Sequence, residues 1–243
     1  MRTNPEWKYW GRHDPLWAVA SKEGREVGGP NPWTPEEFLA LGASDFADVL
    51  RHWTHYGVHP GRCVEIGSGA GRMTKPLAQV FDSVLALDIS ADQILRAREL
   101  LGSGSRNVDF RVLEQPVIPT AEASCDAMFS CHVFQHLPGK EAVATYLRET
   151  HRVLRPDRSV CFHVPVPGAH ISSRQSALGY AARNFYTRIK RALGILDIAE
   201  YHWYPVRDIF LMLMDLGFKD PELRIVAMSS NGDYHSYFFA RKA

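Results

Sequence analysis

The chain has 243 residues with 28 Lys+Arg against 27 Asp+Glu, a formal net charge of +1, and that balance excludes a global electrostatic attraction to nucleic acid. A hydrophobic fraction of 45% with 23% charged residues excludes intrinsic disorder and suits one large domain, or a domain carrying an insertion. No stretch approaches the roughly 18 consecutive apolar residues of a membrane span, and the N-terminus lacks the apolar run of a signal peptide, so the sequence predicts a soluble, cytoplasmic protein without integral membrane contact.

In chain order, the first 55 or so residues are rich in aromatics. Five of the six tryptophans, Trp7, Trp10, Trp17, Trp33 and Trp53, fall here, interleaved with Tyr9, His13 and Pro15. This reads as a helical arm, whose aromatics either pack on the core or wall a ligand pocket; Tyr9, Trp10 and His13 are the pocket candidates. Arg62 to Ile66 then reads as a short strand after the Pro60-Gly61 turn, and a helical stretch follows from about Ala70 to Val80. Ser83 to Asp88 is the next strand, and Ser90 is the expected N-cap of a helix running through Leu100. Val108 to Leu113, Cys125 to Ser130 and Ser159 to Pro165 read as three further strands, with a helix from about Gly139 to Leu154 before the last. Strands alternating with helices predict a parallel sheet covered on both faces. Pro205 to Leu216 is helical, Gly217 ends it, and Glu222 to Met228 and Tyr234 to Ala240 form two runs joined by a turn containing Asn231-Gly232-Asp233, which predicts a closing antiparallel hairpin.

Between the fifth strand and the last helix lies an insertion. Leu178, Ala181, Ala182, Phe185, Ile189 and Leu193 fall on one helical stripe, and residues 169–196 carry Arg174, Arg183, Arg188, Lys190 and Arg191 with no acid. Three readings stand: a lid whose basic side meets an acidic acceptor, a helix on an anionic membrane surface, or a solvated face. Tyr201, Trp203 and Tyr204 follow and are candidate pocket residues. The expected segments are thus an arm (1–55), a ligand-binding core (56–167), a helical lid (168–204), and a final helix with the hairpin that completes the core (205–243). The four cysteines form no C-x-x-C pair, and reduced, mostly buried thiols are expected.

The most informative segment is Val64-Glu65-Ile66-Gly67-Ser68-Gly69-Ala70-Gly71-Arg72, a strand running into three alternate glycines and then a helix. Glycine there lets the backbone turn sharply and approach a ligand. A dinucleotide fingerprint needs a small residue where Arg72 stands, which argues against NAD or FAD. Glu65, at the strand's end, suits an amino-bearing ligand. Asp88 ends the second strand 21 residues past Gly67, where a carboxylate can accept hydrogen bonds from both hydroxyls of a ribose. Together they describe a nucleoside with a cationic tail.

These residues resemble the class I S-adenosylmethionine-dependent methyltransferases, of the small bacterial type 11 or 12. The resemblance covers residues 60–167 and, more loosely, the last 40. It rests on the V-E-I-G-S-G-A-G loop, the L-D-I-S at 87–90, the Phe129 to Leu137 stretch, and Glu149 to Pro156 before the fifth strand. It implies a single Rossmann-like, seven-stranded, mostly parallel α/β sheet with S-adenosylmethionine as cofactor and S-adenosylhomocysteine (SAH) as product. Carried over, Glu65, Gly67, Ser68, Gly69 and Gly71 face the methionine part, Asp88 and Ile89 the ribose and adenine, and Glu114 and Gln115 the adenine, with Ser130 closing the pocket. The third-strand end departs from the family's Gly-Asp-Ala, reading Leu113-Glu114-Gln115.

Methyl transfer from a sulfonium is an in-line displacement, so positioning and water exclusion dominate, and a base is needed only if the acceptor must lose a proton. His132, His136 and His202 are the candidate bases. The Asn/Asp-Pro-Pro-Tyr loop that grips amino groups in related families is replaced by Ser130-Cys131-His132-Val133, which disfavours adenine and glutamine acceptors. No acidic pair follows the fourth strand, so no metal is expected. The resulting expectation is methyl transfer to a small acceptor, acidic under the lid reading, at a hydroxyl oxygen, with nitrogen or carbon acceptors, a tRNA or protein substrate, and a non-catalytic binding protein as alternatives. A homodimer is compatible with this reading.

Overall fold

The computed structural model describes residues 5–166 and 201–243, together with residues 182, 185, 186, 189, 190 and 193. The arm folds as α1 (Pro5–His13), α2 (Pro15–Val19) and the long α3 (Pro35–Tyr56). Local chemistry starts and stops α3: Thr34 and Glu37 form a reciprocal capping box, Pro35 occupies the first turn, and Gly57 at φ 105° ends it. The core then alternates β1 (Arg62–Ile66), α4 (Thr74–Val80), β2 (Ser83–Asp88), α5 (Ala91–Leu101), β3 (Val108–Val112), β4 (Cys125–Ser130), α6 (Lys140–Val153) and β5 (Leu154–His163). After the insertion come α7 (Val206–Asp215), β6 (Phe218–Ala227) and β7 (Tyr234–Lys242).

The seven strands form one sheet in the order β3-β2-β1-β4-β5-β7-β6. Strands β1 to β5 pair in parallel, and β7 runs antiparallel to both β5 and β6, as expected for a closing hairpin. The strand alternation divides the core. Val64, Ile66, Leu85, Met128 and Phe162 pack with Val143 and Leu147 of α6 and Ile209 and Leu213 of α7. Cys63, Val84, Ala86, Phe129 and Phe239 pack on the other face with Phe46, Val49 and Trp53 of α3, Leu77 of α4 and Ile94 of α5. Trp53 is fully buried and donates its indole N–H to Ser159 Oγ at 2.9 Å, so this tryptophan serves the core.

Some boundaries differ from expectation for physical reasons. The helix expected from Ala70 begins at Thr74, because the positive φ of Gly69 and Gly71 keeps the chain non-helical until the loop is complete. Strand β5 begins earlier than expected, at Leu154, with Asp157 in the left-handed region at φ 62° and a register shift against β4. The cysteines are free, with Cys63, Cys125 and Cys161 buried. Among the described residues no helix is long and apolar enough to cross a membrane. In the insertion, Leu178, Ala181 and Arg174, Arg183, Arg188 and Arg191 lie outside the described residues, while Phe185, Ile189 and Leu193 are exposed.

Candidate functional site

The carboxyl ends of β1, β2 and β4 converge on the glycine loop. Gly67, Gly69 and Gly71 all have positive φ (79°, 51° and 88°), which is why glycine stands at each. The loop is tied to β2 by Gly67 and Ser68, whose N–H groups donate to Leu87 O at 2.7 and 2.9 Å. A Cβ on Gly67 would lie 2.0 Å from Val133, and one on Gly69 would lie 2.5 Å from Val19 of α2. The arm therefore reaches over the loop. It is seated on α5 by Gly11, where a Cβ would meet Ser90 Oγ at 2.4 Å, and by Gln93, which donates to Pro15 O at 3.1 Å.

Two carboxyl groups flank the loop. Glu65 is 2% exposed and accepts a hydrogen bond from Thr74 Oγ1 at 2.6 Å, and burial pushes its pKa up to about 8. Asp88 is only partly buried by its neighbours, and its two oxygens accept from the N–H groups of Gly69 (2.9 Å) and Ser90 (2.8 Å). Desolvation raises its pKa while these backbone donors pull it down. A carboxylate with one bond on each oxygen keeps lone pairs for two further donors. Ser68 Oγ is buried and has no hydrogen-bond partner among the described residues. Ile89 is partly exposed, and Leu113 N donates to Asp88 O at 2.7 Å, so the exposed Glu114 and Gln115 sit beside that strand end. Ser130 is buried and donates from Oγ to Ile66 O at 3.0 Å, which braces β4 against β1. Arg72 turns away from the loop into an ion pair with Asp45 of α3, and Ser230 Oγ also donates to Asp45 at 2.5 Å.

The three candidate bases occupy different places. His132 follows β4 at φ 59°, and burial lowers its pKa to about 4, so it is neutral at physiological pH. Its ring lies 4.4 Å from that of His163 and 4.9 Å from that of His235. His136 sits between Trp7 (4.7 Å) and Tyr201 (5.8 Å), with its Nε2 3.0 Å from Gln135 Nε2. His202 joins that region through its backbone N–H, which donates to Gln135 O at 2.7 Å.

The expected pocket aromatics divide as well. Tyr9 and His13 are exposed and stack on each other at 4.0 Å, and Trp10 packs on Trp17 at 4.9 Å. Tyr201 reaches His136 and Trp203 is partly exposed, but Tyr204 is 3% exposed within the core, its Oη donating to Leu137 O at 3.5 Å. Trp7, rather than the three arm residues selected from sequence, meets His136. His163 and His235 were not singled out, because each reads as one residue of a strand. Only the β5–β7 register, with His163 opposite Tyr237, brings them to His132.

Residues 64–162 match the family model for a methyltransferase domain. Among curated proteins, no sequence matches this chain at a significant level. The fold is similar to magnesium protoporphyrin IX methyltransferase from Synechocystis PCC 6803 with bound SAH, at 19% identity and a TM-score of 0.62 over 99% of this chain and 98% of that one. It is also similar to the DhpI–SAH complex, at 18% identity and a TM-score of 0.62 over 98% and 96% of the two chains. A third similar structure is a SAM-dependent methyltransferase from Methanosarcina mazei, at 17% identity and a TM-score of 0.60 over 78% of this chain and 96% of that one. The glycine loop, the strand order and the match agree: residues 64–162 match a methyltransferase domain, and the seven-stranded sheet has the Rossmann-like fold of the similar methyltransferase structures.

Proposed function

We propose that the protein transfers a methyl group from S-adenosylmethionine to a hydroxyl oxygen of a small-molecule acceptor. The observation that carries this reading is the division of one sheet edge. Glu65, the glycine loop and Asp88 lie on its β1–β2 half, and imidazoles line the ends of β4, β5 and β7. The cofactor supplies an electrophilic methyl on a sulfonium. The residues present fit it: the unpartnered Ser68 hydroxyl and the glycine backbone would meet its amino-acid tail, Glu65 its ammonium group, and the remaining lone pairs of Asp88 would accept from the ribose. Ile89, Glu114 and Gln115 would flank the adenine.

The chain's own contribution is mostly positional. Val19 and Val133 pack against the loop glycines and narrow access to it, and a shielded site favours a displacement that water would intercept. A histidine whose pKa is about 4 is a weak proton acceptor at neutral pH, so His132 is poorly matched to general-base work. His136, held between Trp7 and Tyr201, stands with Tyr201 and Trp203 on the acceptor side.

The test is calorimetric titration with SAH, followed by transfer of labelled methyl from S-adenosylmethionine to panels of hydroxylated, amino and carbon-nucleophile small molecules. The expected result is micromolar SAH binding and label on oxygen. Absence of SAH binding by the folded protein overturns the cofactor reading, and label confined to nitrogen or carbon overturns the oxygen assignment.

A further inference from the structure

Three histidines distant in sequence meet at one point of the sheet edge. His132 lies two residues past β4, His163 is the last residue of β5, and His235 is the second residue of β7. The parallel β4–β5 pairing and the antiparallel β5–β7 pairing place these ends side by side. The ring centroids are separated by 4.4, 4.9 and 5.3 Å. One nitrogen from each ring lies within 4.8 Å of the others, and His235 Nδ1 is 3.4 Å from His163 Nε2. With metal–nitrogen bonds of about 2.0–2.1 Å, tetrahedral ligation needs nitrogens roughly 3.3 Å apart. One pair is already near that separation, and the remaining nitrogens lie within 4.8 Å. His163 is 1% exposed, whereas His132 and His235 are partly exposed, so the cluster has a buried floor and an accessible side.

Three imidazoles with a fourth position open are the donor set of catalytic zinc sites, and imidazole suits Zn, Co and Ni over Mg or Ca. The nearby cation, Arg72, is paired with Asp45, which limits its repulsion of a metal. The sequence predicts no metal of any kind, because these three histidines stand far apart along the chain and only the fold groups them.

We propose that His132, His163 and His235 bind one divalent transition-metal ion of the zinc type through one nitrogen each, leaving a coordination position for an oxygen of the acceptor. The role toward the acceptor rests on the methyl-transfer reading; the metal site does not. In that role the acceptor hydroxyl, polarised by the ion, releases its proton to solvent water. Its oxygen lone pair then forms the new O–CH3 bond as the C–S bond breaks, with the electron pair going to sulfur.

The test uses full-length protein, freed of metal by a chelator and of any affinity tag. Titration with Co2+, read by its visible d–d absorption, and with Zn2+, read by competition with a chromophoric chelator, is expected to show one equivalent bound in a four-coordinate spectrum. His132→Gln and His235→Gln, on the partly exposed side, are expected to weaken binding at least about a hundredfold while circular dichroism shows them folded. Zn2+ should raise the Tm of the wild type and of neither variant. Absence of stoichiometric binding, or binding unchanged in both folded variants, overturns the proposal. SAH titration of the same metal-free wild type separates the two readings. Metal binding without SAH binding sinks the methyl-transfer role and leaves the metal site standing, and SAH binding without metal binding does the reverse.

Discussion

Glu65 offers a sharp check on how the cofactor tail is held. Burial raises its pKa to about 8, so at pH 7 about nine-tenths of the molecules carry this carboxyl protonated. An ammonium group placed beside it favours the ionised form, so cofactor binding at pH 7 should expel nearly one proton. Below pH 8 the affinity for SAH should then rise about tenfold per pH unit, amounting to roughly fiftyfold between pH 6 and pH 8, or about 2.3 kcal/mol. The free protein responds in the opposite sense. A folded pKa raised above its unfolded value contributes stability that is complete below the ordinary carboxyl range near 4.5 and is lost as pH rises through about 8. Glu65→Gln keeps an oxygen to accept from Thr74 Oγ1 and removes the titration. It should bind SAH at pH 6 nearly as the wild type does, more weakly at pH 8, and with a flat profile between. Calorimetry in two buffers of different ionisation enthalpy counts the protons directly. A wild-type affinity that is flat from pH 6 to 8 with no proton released, or a slope that survives in Glu65→Gln, would refute the reasoning.

Three further outcomes follow from named contacts. Asp88→Ala leaves the N–H groups of Gly69 and Ser90 without their acceptor, so it should lower Tm and weaken SAH binding tenfold or more, about 1.5–3 kcal/mol, by calorimetry. Asp88→Asn, which turns an amide donor toward one of those N–H groups, should recover only part of this. Gly69→Ala places a Cβ 2.5 Å from Val19 at φ 51°, costing about 1–2 kcal/mol for the backbone alone, and Val19→Ala in the same chain should restore only the contact share of the Tm loss in thermal melts. Asp48 ties α3 to the hairpin by accepting from Ser229 N (2.7 Å) and Ser229 Oγ (2.9 Å). Although burial opposes ionisation, the Ser229 and Arg51 bonds hold its pKa below the usual value. Asp48→Ala should cost about 2–4 kcal/mol in urea unfolding at pH 7. That deficit should shrink as pH falls through the folded pKa of Asp48, where the wild type loses the same contribution.

Much of the glycine-loop edge was legible in the sequence because its signals are local. A strand, three glycines at alternate positions and a helix lie within one short segment, and the positive φ of Gly67, Gly69 and Gly71 is a property of those residues themselves. Asp88 was legible because β2 must follow α4 and end beside the loop in a parallel sheet. The cap of α5 by Ser90 and the Asn231-Gly232 hairpin turn were readable for the same reason. The sequence also suggested an aromatic arm near the ligand edge, but which aromatic would reach His136 depended on how α1 docks on α5, and the answer was Trp7. Tyr204 sits in an aromatic run whose pattern does not distinguish pocket from core, and packing against Leu137 assigns it to the core.

By itself, then, the sequence determined the β-α-β order, the glycine loop with Glu65 before it, and Asp88 at the end of β2, since all are read along one continuous β-α-β stretch. Tertiary structure alone decided that His132, His163 and His235 meet, that Val19 covers Gly69, and that Arg72 turns to Asp45 on α3. The physical reason is strand register and helix docking. A one-residue slip in β7 would turn His235 to the other face of the sheet, and nothing local to His235 records which register is adopted.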